Sequence, residues 1–405
     1  METPNPSPRR LLPLILTITG MGVLAFSAII PALPDLAAEL GVSRGSIGLV
    51  QGAVAMPGIF LAAYTGYLAD RFGRRAVIRS SLLIFGTAGA LCFFAPSYWV
   101  LVGLRVVQGL GTSALLSLGV VVIGDTFVGH ERRWAMGLNL AAVTTMTTIA
   151  PIIGGFLAEG GVFRPFLMFL VAFPVWWWAR RLPDHQPMLH PVPPLRHARA
   201  TIESLRERGR LSDFLGMIPM SLITLGVFVG VGITVTPLLL ERAFSLSVSQ
   251  RGMVLAAGSA ASSVASILSG RIGLRFRPSQ VLATAFILMV VGFTTVGAAP
   301  NLWVVALGLA VLGSGTGSIF PLLQDFAASA VPAVYRGASV GMWVSANRVG
   351  QWAGPTSGTL IAESVGERQV YFGAALVMAV VASVWVPLRR LAHRRVRQAP
   401  QPAER

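Results

Sequence analysis

Two arginines, Arg105 and Arg348, fall inside long apolar runs. At the centre of a bilayer an arginine costs about 2.5–3.5 kcal/mol on insertion scales, so a residue in that position needs a partner or a task. Arg105 has Gln108 one turn further on, and the nearest acid is Asp35, just beyond the first apolar run. A carboxylate beside a guanidinium can take up and release a proton while the guanidinium stays charged, which makes Asp35 and Arg105, as a protonation-sensitive pair, the candidates for proton coupling. The alternative leaves Asp35 in water beside Glu39, with Arg105 bonded to carbonyls and Gln108. Arg348 has Gln351 and Trp352 on its own helical face at i+3 and i+4. That trio either lines a cavity, together with Ser27, Gln51, Gln108 and Asn347, or satisfies itself. A third group can form an ion-pair network: Asp125 is placed to reach Arg71, Arg74 or Arg75, and Arg132 to reach Asp70.

Other chemistry is excluded by what the chain lacks. All 32 basic residues are arginine, so no lysine can hold a nucleotide phosphate or form a Schiff base. The five histidines, His130, His185, His190, His197 and His393, lie in polar segments, away from the centre of any apolar run. Gly337-Ala-Ser339-Val-Gly341 fits the hydrolase pattern G-x-S-x-G, but no strand precedes it and no histidine is placed to reach it. Cys92 is the only cysteine, so no internal disulfide exists, and no cluster of residues suggests a metal or a cofactor. An enzyme is therefore not expected.

The elements that must position these residues are membrane helices. Hydrophobic residues make up 54% of the chain and charged residues 12%, about half the usual ~25%. A bilayer core of about 30 Å needs about 20 apolar residues per helix. Runs of that length fall at roughly 11–33, 46–68, 76–95, 99–122, 134–157 and 163–182, then at 214–239, 249–269, 279–298, 301–322, 337–361 and 370–388. These are twelve expected spans of an all-α membrane protein. The first is expected to stay uncleaved, because Pro31 and Pro34 stand where a signal peptide needs small residues. Arginines gather on one side, in segments holding Arg9, Arg10, Arg71, Arg74, Arg75, Arg79, Arg132, Arg133, the central loop and the tail. The other side has only Arg44, Arg164, Arg242, Arg251 and Arg368. Both termini are thus expected to be cytoplasmic. The net charge of +16 is an orientation signal by this count and not a nucleic-acid footprint.

One long polar stretch divides the spans six and six. The expected division is a first bundle at 1–182, a cytoplasmic linker at 183–213, a second bundle at 214–388 and a basic tail at 389–405. The halves share one register. Gly66 to Gly73 aligns with Gly270 to Arg277, Gly109-Leu-Gly-Thr112 with Gly313-Ser-Gly-Thr316, Ala150-Pro151 to Gly154 with Gly354-Pro355 to Gly358, and Arg132 with Arg336, all at an offset of 204. The chain reads as two pseudo-symmetric six-helix bundles, a plan used by secondary transporters. Leu274 stands where Asp70 would repeat, so the charged loop is not symmetric.

Gly66-x-Leu68-x-Asp70-Arg71-x-Gly73-Arg74-Arg75, between spans two and three, resembles the signature loop of the major facilitator superfamily. Arg105-Val-Val-Gln108-Gly109-x-Gly111 resembles the family's second motif, and Ala150-Pro151-x-x-Gly154-Gly155 that of its drug:proton antiporters, with Ala150 where those prefer Gly. Pro31-x-x-Pro34 fits the same twelve-span branch. The resemblance implies a latch between the halves, built on Gly66, Asp70, Arg71, Gly73, Arg74, Arg75, Asp125 and Arg132, that is closed when the transporter faces outward. Pro151, Gly154 and Gly155, with Gly354 and Pro355, form smooth surfaces on which helices can rock, and span eight offers an equally small face at Gly252, Ala256 and Gly258. The function implied is proton-coupled efflux of lipophilic or cationic small molecules by alternating access, from a monomer in the inner membrane. The alternative is an uptake symporter or facilitator for a small metabolite.

Overall fold

A computed structural model describes residues 8–62, 64–183 and 194–398, the side chains of 8, 194, 269–275, 333 and 385–398 excepted. Residues 184–193 of the linker, with His185 and His190, and residues 399–405 of the tail lie outside the described residues. Among the described residues, nine helices are long and apolar enough to cross a membrane. These are spans one (Arg9–Glu39), three (Arg74–Phe94), four (Tyr98–Thr126), five (Gly129–Glu159), seven (Leu211–Phe244), eight (Val248–Leu268), nine (Pro278–Ala298), ten (Leu302–Ser329) and twelve (Glu367–Val384). Span two comprises Gly48–Leu61 and Tyr64–Phe72, and makes a tenth. Span eleven, Arg336–Val365, is one continuous helix of 30 residues whose polar load lowers its hydropathy.

Span six departs from the expected single helix. It runs as Arg164–Val171, Ala172–Trp178 and Ala179–Arg181, with the first and last pieces wound as 3-10 helix. Pro165 and Pro174 each remove a backbone donor, one in the first piece and one in the second, and three tryptophans follow at 176–178. Span one is likewise interrupted, by a 3-10 turn at Ile30–Ala32 before the short helix Leu33–Glu39, where Pro31 and Pro34 each occupy an early helical position. The polar stretch contributes one helix, Pro194–Glu207.

Two apolar cores organise the chain. One is built on Leu14, Ile18, Leu82, Phe85, Leu115, Leu118, Phe166 and Phe169 from spans one, three, four and six. The other is built on Phe286, Met289, Phe293, Leu312, Ile319 and Tyr371 from spans nine, ten and twelve. In lipid there is no water to expel, so close approach of backbones does much of the packing. Two seams join the halves: span five lies along span eight, and span eleven along span two. In each seam a glycine of the second helix sits on a proline carbonyl of the first, Gly252 on Pro151 and Gly48 on Pro355. Both members of the second pair are related to the first by the offset of 204. A Cβ at either glycine would enter backbone, so neither position tolerates a side chain in this packing.

Candidate functional site

The halves enclose a cavity of about 380 Å³. Its wall comes from spans one, five, seven, eight and ten, and every side chain on it is uncharged. Val23, Phe26, Leu255, Phe228 and Leu309 give it an apolar character, and Ser27, Thr144, Thr147, Ser262, Thr316 and Gln324 dot it with hydroxyl and amide groups. Many of the hydroxyls are turned back on their own helices: Ser27 donates to the Val23 carbonyl at 3.1 Å and Ser263 to that of Ser259 at 2.8 Å. This spares the helix the cost of free hydroxyls yet leaves acceptor lone pairs for a guest. Span seven is wound as π-helix over Phe228–Val235 where it meets the cavity, with Thr234 donating to the Val229 carbonyl at 2.8 Å. Such bulges are frequent at functional sites because they re-aim side chains within a helix.

One end of the cavity is shut. At the face bearing Asp35, Arg251 of span eight reaches across the halves. Its Nη1 donates to Asp35 Oδ2 at 2.7 Å and its Nη2 to Oδ1 at 3.1 Å, while Nη1 and Nε also donate to the carbonyls of Pro31 and Leu246. Arg251 is 2% exposed. Arg44 pairs with Glu241 at 2.8 Å. Glu363 accepts from Ser43 Oγ and the Gly45 amide, both at 3.1 Å, and Thr359 Oγ1 donates to the Gly45 carbonyl at 2.6 Å. Glu159 Oε1 accepts from the Ser249 amide at 3.1 Å. These bonds between one half and the other gather at this face.

The expected pairing of Asp35 with Arg105 is therefore corrected: Asp35 belongs to Arg251. Arg105 is fully buried and held by its own half, donating from Nε to the Val50 carbonyl at 3.2 Å, from Nη2 to the Ala25 carbonyl at 2.7 Å and from Nη1 to Gln108 Oε1 at 2.7 Å. It ties spans one, two and four together. Of the expected cavity residues only Ser27 lies on the cavity wall. Gln51 donates to the Phe26 carbonyl at 2.6 Å, and Gln108 serves Arg105. Asn347 accepts from Ser221, which in turn accepts from the Trp343 indole at 3.0 Å, inside the second half. Arg348 donates to Gln351 at 2.6 Å and lies 5.2 Å from the centre of the Phe26 ring. Trp352 presents its carbonyl to Gly52 across the seam.

At the opposite face, bearing Asp70, Arg74 is the hub. It pairs with Asp125 and stands 3.9 Å from Asp70. Gly73 takes a φ of +87°, which turns the chain from span two into span three and which only glycine adopts freely. Arg71 donates to the Tyr67 hydroxyl at 3.4 Å and stacks on Phe72. Arg132 lies against Gly124 of span four and not at Asp70, which corrects that expected contact. Glu131, next to it, pairs instead with Arg9 at 2.9 Å. A Cβ at Gly66 would meet open space. Each of these contacts stays within the first half.

The packing residues occupy close approaches. Gly154 sits on the Ala28 carbonyl, Gly155 on the Val248 carbonyl and Gly354 on the Gly226 carbonyl. Ser339 of the hydrolase-like pattern is fully buried and donates to the Ala327 carbonyl at 2.6 Å, a structural role. Sequence reasoning missed Arg251, Glu241, Glu363 and the wall of spans five and eight. The last had a signal: Ser259, Ser262, Ser263 and Ser266 recur at i, i+3, i+4 and i+7, a polar stripe on an apolar helix.

Comparison with known proteins adds a lineage to this geometry. The family described as Major Facilitator Superfamily matches residues 15–241 and 217–404. The multidrug resistance protein MdtG of Salmonella choleraesuis (strain SC-B67) is 27% identical over 403 residues, covering 93% of this chain and 95% of that protein. The bacillibactin exporter of Bacillus subtilis (strain 168) is 33% identical over 162 residues, 38% of this chain and 39% of the exporter. Among solved structures, a bacterial homolog of the human lysosomal transporter Spinster, in an inward-facing and unoccupied conformation, superposes with a TM-score of 0.79. It is 16% identical, with 96% of this chain and 98% of that one covered. The human organic anion transporter MFSD10 gives 0.69 at 19% identity, covering 94% and 100%.

Proposed function

The chain belongs to the Major Facilitator Superfamily, and on that premise we propose that this multi-pass membrane transporter exports lipophilic small molecules, drugs or metabolites, in exchange for protons. The observation that carries the proposal is the cavity between the halves, uncharged on its wall, with contacts between the halves at the Asp35 face. The likeness to MdtG over nearly the whole length of both chains supports the export direction. Of the lipophilic and cationic substrates expected from sequence, the wall favours the lipophilic, since it offers a cation no carboxylate.

In this reading the protein resides in the inner membrane as a monomer, with the Asp35 face outward, the Asp70 face and both termini in the cytoplasm, and the bundles 1–182 and 214–388 moving as bodies. The contacts at the Asp35 face hold the inward-open form. On opening, that face gives up Asp35 to water, where it can take a proton, and the Asp70–Arg74–Asp125 cluster closes against the second half. An ion bound in one form and released in the other drives the cycle, because each ligand shifts the same two-state equilibrium.

The test is movement of phenylnaphthylamine and ethidium in everted membrane vesicles, energised and then treated with an uncoupler. Accumulation that the uncoupler collapses and that Arg74→Ala abolishes is the expected result. Accumulation indifferent to the uncoupler would remove proton coupling, and none with either dye would refute export of lipophilic compounds.

A further inference from the structure

The cavity wall is neutral, but the protein behind it is not. Arg105 is fully buried and its hydrogen bonds run only to carbonyl and amide oxygens. Arg348, 7% exposed, spends Nη1 on Gln351, and its Nε has no partner. Neither has a carboxylate within ion-pair distance among the described residues. By contrast, Arg9, Arg44, Arg74, Arg242 and Arg251 each pair with an acid. Both unpaired guanidiniums touch the same short piece of span one: Arg105 bonds the Ala25 carbonyl, and Arg348 stacks on the Phe26 ring, which is itself part of the cavity wall. Arg348 also packs against Gly58 of span two, so it stands between the halves at mid-depth of span eleven.

Two positive charges without counter-charge in a low-dielectric, water-poor region project a field into the space they border. A cation entering the cavity would shed water beside like charge. An anion would gain, and a guanidinium with a free N–H offers the planar fork that matches carboxylate, sulfonate or phosphonate oxygens. We propose that Arg348 is the anion-binding group of the cavity, with Phe26 as its movable cover, and that the substrates are amphipathic organic anions. Their apolar body packs against the wall at Phe26, Phe228 and Leu255, and their acidic head meets Arg348. This deepens the export reading and rests on it for the direction of movement.

Anilinonaphthalene sulfonate and phenylnaphthylamine share an aromatic body and differ by the sulfonate, which isolates the charge. Binding of each to purified protein in nanodiscs is measured by equilibrium dialysis against nanodiscs alone. The sulfonate is expected to bind more tightly than the neutral amine. Arg348→Gln should weaken the sulfonate about ten- to a hundred-fold, the range for a lost charge-assisted contact, and leave the amine within about twofold. Gln351→Glu keeps Arg348 but neutralises it from the position of its present partner. It should cost the sulfonate the same loss and improve ethidium binding, a response that a purely structural Arg348 would not give and that does not depend on Arg348→Gln folding. Equal binding of the two aromatic probes, or equal losses for both in the variants, overturns the proposal. Arg348-dependent sulfonate binding without energised movement in everted vesicles would keep the subsite and defeat export. Uncoupler-sensitive movement of the neutral amine without sulfonate binding would keep export and defeat the subsite.

Discussion

Asp35→Asn should open the shut face of the cavity, and the amount follows from the contacts it removes. Arg251 gives Asp35 two charge-assisted bonds, at 2.7 and 3.1 Å, and keeps its bonds to the Pro31 and Leu246 carbonyls when the carboxylate is gone. Bonds to charged groups contribute about 1.5–3 kcal/mol when buried. The Asp35 side chain is 31% exposed, so screening discounts the pair. Taking the lower value, about 1.5 kcal/mol, the closed-to-open ratio falls about tenfold. The reporter is Ser27→Cys on the cavity wall, labelled from the outer side by an impermeant maleimide. The native Cys92 is fully buried and stays silent. Labelling should quicken about tenfold in Asp35→Asn, and the charge-swapped pair Asp35→Arg with Arg251→Asp should bring it back toward the parent rate. A single-variant rate within about twofold of the parent would show that Arg44–Glu241 and the Glu363 contacts close this face without Asp35, and the reasoning would fail.

Three further outcomes follow from the packing. Arg105→Met leaves the carbonyls of Ala25 and Val50 and the Gln108 amide short of donors in a buried site; at about 1–3 kcal/mol for each unsatisfied group, the purified protein should show a clear drop in thermal midpoint, whereas Arg348→Met should show a smaller one. Gly48→Leu and Gly252→Leu each drive a side chain into a proline carbonyl; both should abolish energised dye movement and raise outer labelling of Ser27→Cys, with the protein still present in the membrane. Arg74→Ala separates Asp70 from Asp125; it should cut the initial rate of dye accumulation at least about tenfold, and Arg74→Lys should recover only part, because a point charge cannot serve two carboxylates as a planar fork does.

The span plan was legible because lipid demands long apolar runs and satisfied backbones. The two-fold repeat was legible as well, since Gly66, Gly109, Gly154 and Arg132 all find partners at one offset. What sequence could not supply was which charges meet. Asp35 and Arg105 lie on spans of the same half that touch each other, yet span one breaks at Pro31 and the short helix beyond it brings Asp35 into reach of Arg251 on span eight. Arg105 bonds carbonyls and Gln108, as the alternative reading of the sequence has it, with Ala25 and Val50 supplying the carbonyls. The cavity wall was misjudged for a related reason: Gln51, Gln108 and Asn347 are polar enough to bind a guest but each is engaged within its own half, away from the wall. Span six lost its regularity to Pro165 and Pro174. Their effect on helix type depends on neighbours that arrive only with the fold.

The glycine–proline seams have a consequence for how such a machine is tuned. Gly252 on Pro151 and Gly48 on Pro355 are one bearing inherited twice. If the first half adopts the shape of the second, and the second that of the first, both bearings survive the exchange and the cavity opens to the other side. A trade between equals has no preferred direction. Whatever makes one resting position deeper than the other must come from residues that the duplication did not copy. Leu274 stands at the counterpart position of Asp70, and the Arg251–Asp35 pair has Ile47 and Leu239 at its counterpart positions, which carry no charge. A few unshared side chains at the rims thus hold the thermostat of an otherwise even-handed device, and resetting it needs no change in the moving parts.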